Sequence, residues 1–170
     1  MTAKRPKVRP ASTSADSETR ATSDHHDALR LWLRLLATTN LIEQHVRRRL
    51  QERFATTLPR FDLMAQLERV PEGLKMGELS RRMMVTGGNV TGITDLLERE
   101  GLVARVTDRS DRRAFRVRLT AAGRRVFRAM AKEHERWIVA AFGGLGEREV
   151  SRLAALLGRL KIHIGKELHK

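Results

Sequence analysis

The 170-residue chain is about one domain long, and a hydrophobic fraction of 41% is enough for a buried core. It has no cysteine, which excludes disulfides, thiolate metal sites, a cysteine nucleophile and thiol redox switching. Lys and Arg number 34 against 20 Asp and Glu, a formal net charge of +14 that favours a polyanionic partner without specifying which.

Residues 1–23 are rich in Lys, Arg, Pro, Ser and Thr and poor in apolar side chains, so burial cannot offset the entropy of ordering them. They read as a disordered basic arm, either a solvated tail or a segment reaching an adjacent groove. No apolar stretch of the secretory kind follows the basic N-terminus. The most apolar run, Leu29 to Ile42, is broken by Arg30 and Arg34 and is too short for a bilayer. The expectation is a cytoplasmic protein with no membrane partner.

Ser23 or Asp24 can cap a long helix reaching Phe54, in which Leu29, Leu33, Leu36, Ile42, Val46 and Leu50 recur at roughly helical spacing. A second helix is expected from Leu58 to Val70, with Pro59 in its first turn, and Pro71-Glu-Gly73 breaks the chain. Two short helices follow, near Lys75 to Met84 and Thr86 to Glu100, joined by a very tight turn. Beyond Gly101 the period changes to two: Leu102 to Val106 and Phe115 to Leu119 read as strands of a hairpin. Thr120 suits the cap of a long helix to Phe142, and a last helix carries Val150, Leu153, Leu156, Leu157, Leu160 and Ile164. The fold class is mainly α (α+β), with a small winged helix in the middle. Residues 58–120 form that lobe, and residues 24–57 and 121–170 are helices with more apolar surface than it can cover. A second copy of the chain would cover them.

Met76 to Asp95 has helix-turn-helix length. Leu79 and Met83 can pack on Val90, Ile93 and Leu97, and at about 100° per residue this leaves Gly88, Thr91, Gly92, Asp95 and Arg99 on the opposite face. Small residues there allow close approach to base edges, Thr91 and Asn89 supply hydrogen-bonding groups, and the helix start at Thr86 can meet a phosphate. A nucleotide-binding loop is the competing reading of Gly87, Gly88 and Gly92, but the Gly-x-Gly-x-x-Gly spacing and a preceding strand are both missing. Asp95 is expected to pair with Arg99 at i+4.

Six arginines lie in the hairpin: Arg105, Arg109, Arg112, Arg113, Arg116 and Arg118. A run of Arg is commonly a solvated face. Directly after a helix-turn-helix, however, a ribbon of this kind can follow the DNA backbone and place a tip Arg in the minor groove. Asp108 and Asp111 can orient the guanidiniums. The DNA-contacting set is then Arg81, Thr86, Gly88, Asn89, Thr91 and Arg99, with Arg109, Asp111, Arg112 and Arg113 from the hairpin.

Gly77-Glu-Leu-Ser-Arg-Arg-Met-Met-Val85, Asn89-Val-Thr91, Leu97-Glu-Arg-Glu-Gly-Leu-Val-Ala-Arg105, the Asp108-x-x-Asp111-x-Arg113 hairpin and Val117-Arg-Leu-Thr-Ala-Ala-Gly123 together resemble the MarR family. The resemblance runs from about Leu29 to Leu168. It implies a homodimer with interleaved terminal helices, a pseudo-palindromic double-stranded operator, a recognition helix from Thr86 to Arg99, and Asp111 orienting Arg113 at the wing tip. It also implies a small aromatic carboxylate or phenolic effector in a cleft, whose binding changes the spacing of the two recognition helices and weakens DNA binding. The peroxide-sensing branch of the family uses a cysteine that this chain lacks.

For such an effector the chain offers Trp32, Phe61 and Met64 as apolar walls and Arg30, Arg34 and Arg60 as carboxylate partners. Trp32, Phe61 and Met64 could equally be core, and Arg34 and Arg60 surface charges. A metal-responsive regulator is an alternative, built on His25, His26, His45, Glu133 and His134, although no His-x-x-x-His pair occurs. An architectural DNA-binding protein without ligand is another. No cofactor is called for. No nucleophile–base or paired-carboxylate spacing suggests an enzyme, and the leading expectation is a ligand-responsive repressor.

Overall fold

A computed structural model describes residues 15–108 and 114–167, with side chains from His26 onward. The chain divides into two units, Met1–Glu43 and Gln44–Lys170.

Helix α1 (Ala15–Phe54) begins eight residues ahead of Ser23 and nine ahead of Asp24, the caps expected from sequence. Nothing between Ala15 and Phe54 is Pro or Gly, so no residue stops the helix from propagating toward its N-terminus. Within the first unit, Leu29, Leu31, Trp32, Leu33 and Leu41 are all more than half exposed.

The second unit starts inside α1, where Val46 and Leu50 are buried. Helix α2 (Leu58–Glu68) has its proline in the first turn, where no intrahelical N–H is needed, and buries Phe61, Leu63, Met64 and Leu67. A two-residue strand β1 (Leu74–Lys75), too short to show in the sequence pattern, leads into α3 (Met76–Met83). Met84 adopts the left-handed conformation and ends α3, with φ of 53°. The Ser80 hydroxyl donates to the Val85 carbonyl at 2.6 Å and the Val85 amide returns to the Ser80 carbonyl at 3.2 Å, which fixes the turn into α4 (Gly87–Arg99).

Strands β2 (Val103–Thr107) and β3 (Phe115–Leu119) follow, and the antiparallel sheet has the order β1-β3-β2. Val103 faces Leu119, Arg105 faces Val117 and Leu74 faces Val117, so one face of the sheet carries Leu74, Val103, Val117 and Leu119 into the core. With Leu63, Leu67, Leu79, Val90 and Leu97, all fully withdrawn from water, they hold the lobe together. Each such side chain contributes roughly 2 kcal/mol of transfer free energy.

Helix α5 (Ala121–Ala141) is capped by Thr120, whose hydroxyl accepts from the Gly123 amide at 3.0 Å and donates to the Gly101 carbonyl at 2.7 Å. Phe54 packs on Trp137 of α5 with ring centroids 6.4 Å apart, and Phe61 stacks on Phe127 at 5.5 Å. Helix α6 (Glu147–Glu167) has no buried residue among those described; Leu156, Leu157, Leu160, Ile162 and Ile164 are exposed.

Candidate nucleic-acid interface

The buried side of α4 is Val90, Ile93, Thr94 and Leu97, with the Thr94 hydroxyl satisfied by the Val90 carbonyl at 2.8 Å. Leu79 is fully buried and Met83 half-buried, as the helix-turn-helix packing requires. Gly88, Asn89, Thr91, Gly92 and Arg99 are exposed, and so are Thr86 at the N-cap and Arg81 on α3. The face opposite the core is therefore the one the helical period places there. The Thr91 hydroxyl donates to the Gly87 carbonyl at 3.0 Å, which leaves its methyl and its oxygen lone pairs for an external partner.

A Cβ added to Gly87, Gly88 or Gly92 would meet nothing within 4 Å. Their absent side chains serve no contact inside the chain, although each glycine weakens the helix by about 0.5–1 kcal/mol relative to alanine.

Asp95 departs from the i+4 expectation. Its carboxylate pairs with the Arg105 guanidinium from β2, which also pairs with Glu98. Arg99 instead donates its Nε to the Asp95 backbone carbonyl at 3.3 Å. The hydrogen bond to Asp95, followed by the nearby Glu98 charge, outweighs partial burial and raises the Arg105 pKa above its ordinary value. Register explains the choice: Arg105 faces Val117 on the side of the sheet that packs against α4, so its side chain reaches α4 from across the interface.

The hairpin is closed by the Asp108 amide donating to the Ala114 carbonyl at 2.8 Å. Asp108 is almost wholly buried, and its carboxylate pairs with Arg116 and, at 3.7 Å, with Lys75. Arg116 also donates to the Gly73 carbonyl at 3.0 Å. Gly73 is required there: φ is +85°, and a Cβ would stand 2.6 Å from the Val117 carbonyl oxygen. Two of the six hairpin arginines, Arg105 and Arg116, are thus held by internal carboxylates, while Arg118 is exposed. The tip residues Arg109, Asp111, Arg112 and Arg113 lie outside the described residues.

Asp108→Asn removes the carboxylate but leaves two cations beside the site. It is expected to lower stability by about 2 kcal/mol, because breaking one side of a partly buried pair strands the other. Urea denaturation measures this, and a change below about 0.5 kcal/mol, the size of an ordinary surface effect, would show that the hairpin base does not depend on it.

Of the side chains expected to line an effector site, Arg60 and Met64 border one cavity of about 140 Å³, together with Thr56, Leu97, Glu100 and Met130. Arg60 pairs with Glu100 at the C-terminal end of α4, and its Nε is buried without a hydrogen-bond partner among the described residues. Phe61 is not on that wall. It is buried against Phe127 and against His134, whose ring centroid is 4.9 Å away. Burial lowers the His134 pKa below the ordinary imidazole value and favours the neutral ring. Trp32 and Arg34 belong to the first unit and are exposed. Among the described residues, no group of three or more His, Asp or Glu side chains is placed to hold a metal ion, and no helix is long and apolar enough to cross a membrane.

The α3–turn–α4 unit backed by a β1-β3-β2 hairpin sheet defines a winged helix-turn-helix. The MarR family model matches residues 56–114. A crystal structure of a MarR family transcriptional regulator from Silicibacter pomeroyi is 33% identical and superposes with a TM-score of 0.69, over 82% of this chain and 97% of that one. The chain belongs to the MarR family. Among relatives, the transcriptional activatory protein BadR of Rhodopseudomonas palustris is 35% identical over 107 residues, 62% of this chain and 61% of BadR. The regulator PecS of Dickeya dadantii is 31% identical over 61% of this chain and 64% of its own length. The chain thus spans less than two thirds of either relative.

Proposed function

We propose that the protein binds a pseudo-palindromic operator in duplex DNA as a homodimer and regulates transcription in response to a small aromatic carboxylate or phenolic effector. The observation that carries the DNA-binding part is the outward face of α4. Its three glycines have open space where a Cβ would go, and Thr86, Asn89, Thr91 and Arg99 stand exposed around them. Such a face admits base edges to backbone distance, with the side-chain groups at its margins free to read them. The net charge of +14 supplies the sequence-independent attraction to phosphates. Dimerisation is supported by the exposed leucines and isoleucines of α6 and by the exposed apolar residues of α1.

The experiment is selection of preferred sequences from random duplexes by the full chain, followed by binding to the selected site in excess bulk DNA. A preference of 1,000-fold or more is expected of a specific regulator. Equal affinity for every duplex would instead identify an architectural DNA-binding protein.

The effector part rests on the cavity beside Arg60. A bound carboxylate there competes with Glu100 for the guanidinium and supplies the acceptor that the buried Nε lacks. Because Glu100 caps the end of α4, that exchange acts directly on the recognition helix. Arg60→Gln is expected to retain operator binding yet need at least about ten-fold more aromatic acid for release, the loss of one charge-assisted hydrogen bond. Benzoate-type acids titrated against the protein–operator complex measure this; release at unchanged concentration would remove Arg60 from the site.

Repression by occlusion is the primary reading of the regulation. Activation is favoured by one observation, that the 35%-identical relative BadR is a transcriptional activatory protein, and a promoter–reporter fusion with and without the protein separates the two by sign.

A further inference from the structure

The recognition face of α4 carries acids where phosphates should approach. Asp95 lies on the outward half of the helix, one turn beyond Thr91 and Gly92, and Glu98 flanks it. Left alone, both carboxylates would repel the DNA backbone, since charges closer than about 10 Å are incompletely screened at ordinary ionic strength. Arg99 forms no ion pair with either of them, and its Nε is given to the Asp95 backbone carbonyl. Arg105 does. One terminal nitrogen of its guanidinium pairs with Asp95 and the other with Glu98, and its backbone amide donates to a Glu98 oxygen at 3.1 Å.

We propose that Arg105 is a positioning residue for DNA binding, a fork that cancels the two acids of α4 and ties the recognition helix to the first strand of the wing. This rests on the reading of α4 as the DNA-facing helix. The planar guanidinium suits the task because its two terminal nitrogens diverge toward separate carboxylates, which a single ammonium cannot hold at once. The fork also fixes geometry. Arg105 sits in register opposite Val117, so the orientation of α4 is set by the same strand pair that ends in the wing tip. Arg105 itself needs no phosphate contact in this arrangement.

The test is a charge cycle on the full chain, read by fluorescence anisotropy with the selected operator duplex over a series of salt concentrations. Arg105→Gln is expected to weaken operator binding ten-fold or more while the protein keeps its thermal transition. Adding Asp95→Asn and Glu98→Gln to that variant is expected to restore affinity to within about three-fold of the unaltered protein. If the triple variant stays as weak as Arg105→Gln and the salt slope has fallen by about one, Arg105 is itself a phosphate contact and the proposal is overturned. Unchanged affinity of Arg105→Gln overturns it as well. Should Arg105→Gln not fold, Asp95→Asn with Glu98→Gln in the presence of Arg105 decides: affinity equal to or tighter than that of the unaltered protein supports the fork, and a ten-fold loss contradicts it. Absence of sequence-selective binding by the unaltered protein would overturn the DNA-facing reading of α4 first, and the fork with it.

Discussion

Gly123→Ala is expected to cost about 3 kcal/mol or more, a large fraction of the stability of a domain this size. A Cβ at position 123 would stand 1.9 Å from the Leu102 carbonyl oxygen and 2.9 Å from its carbon. That is backbone, not the end of a flexible side chain, and it is fixed. The Leu102 carbonyl already accepts from the Thr120 amide at 3.0 Å, while the Leu102 amide donates to Leu97 at the end of α4. Relief would require α5 to lift from the sheet, breaking the cap in which the Thr120 oxygen receives the Gly123 amide. The Leu-Thr-x-x-Gly run is therefore structural: threonine caps α5 and glycine lets it start against the strand leaving α4. Thermal and urea unfolding followed by circular dichroism measure the effect, and a loss under about 1 kcal/mol would mean the contact yields freely.

The second large effect has the opposite sign for stability. Gly92→Leu places a side chain where nothing stands within 4 Å, in the middle of an exposed helix face, and replaces the poorest non-proline helix former with a good one. Stability is expected to rise by up to about 1 kcal/mol, while operator binding falls ten-fold or more because the helix can no longer lie as deep in the major groove. Gly88→Leu acts in the same direction at the first turn. A gain in stability with a loss of activity marks a position where the fold gives up stability for function, so the pairing separates a binding face from an ordinary solvated one. If Gly92→Leu binds operator as the unaltered protein does, the glycines of α4 are not there to admit DNA.

The parts of this fold that were legible in the sequence are those governed by local periodicity. The outward set of α4 follows from the spacing of Val90, Ile93 and Leu97, and the hairpin from the alternation of Phe115, Val117 and Leu119 against arginines. The cap at Thr120 was equally plain. What the sequence hid depends on register between elements. Asp95 has an arginine at i+4 that helix rules favour, and only the pairing of β2 with β3 reveals that Arg105 takes the carboxylate instead. The sequence lets Asp108 orient a hairpin guanidinium without saying which; its nearly complete burial and its capture of Arg116 are tertiary facts. Strand β1 has two residues and no period to detect. The early start of α1 was obscured because Ser23 and Asp24, good caps in isolation, sit inside a stretch with no residue to stop the helix. Arg60 and Met64 border one cavity, whereas Phe61, on the same helix, packs inward against α5.

The most direct measurement is a footprint of the full chain on its selected operator, combining hydroxyl-radical protection of the backbone with protection of guanine N7 from methylation. Two patches on one face of the duplex are expected, related by a two-fold axis and centred roughly one helical turn, about 10 base pairs, apart, each with protected N7 atoms from an α4 helix in the major groove. Uniform weak protection of any duplex, or protection confined to the minor groove with every N7 reactive, would contradict DNA recognition by α4.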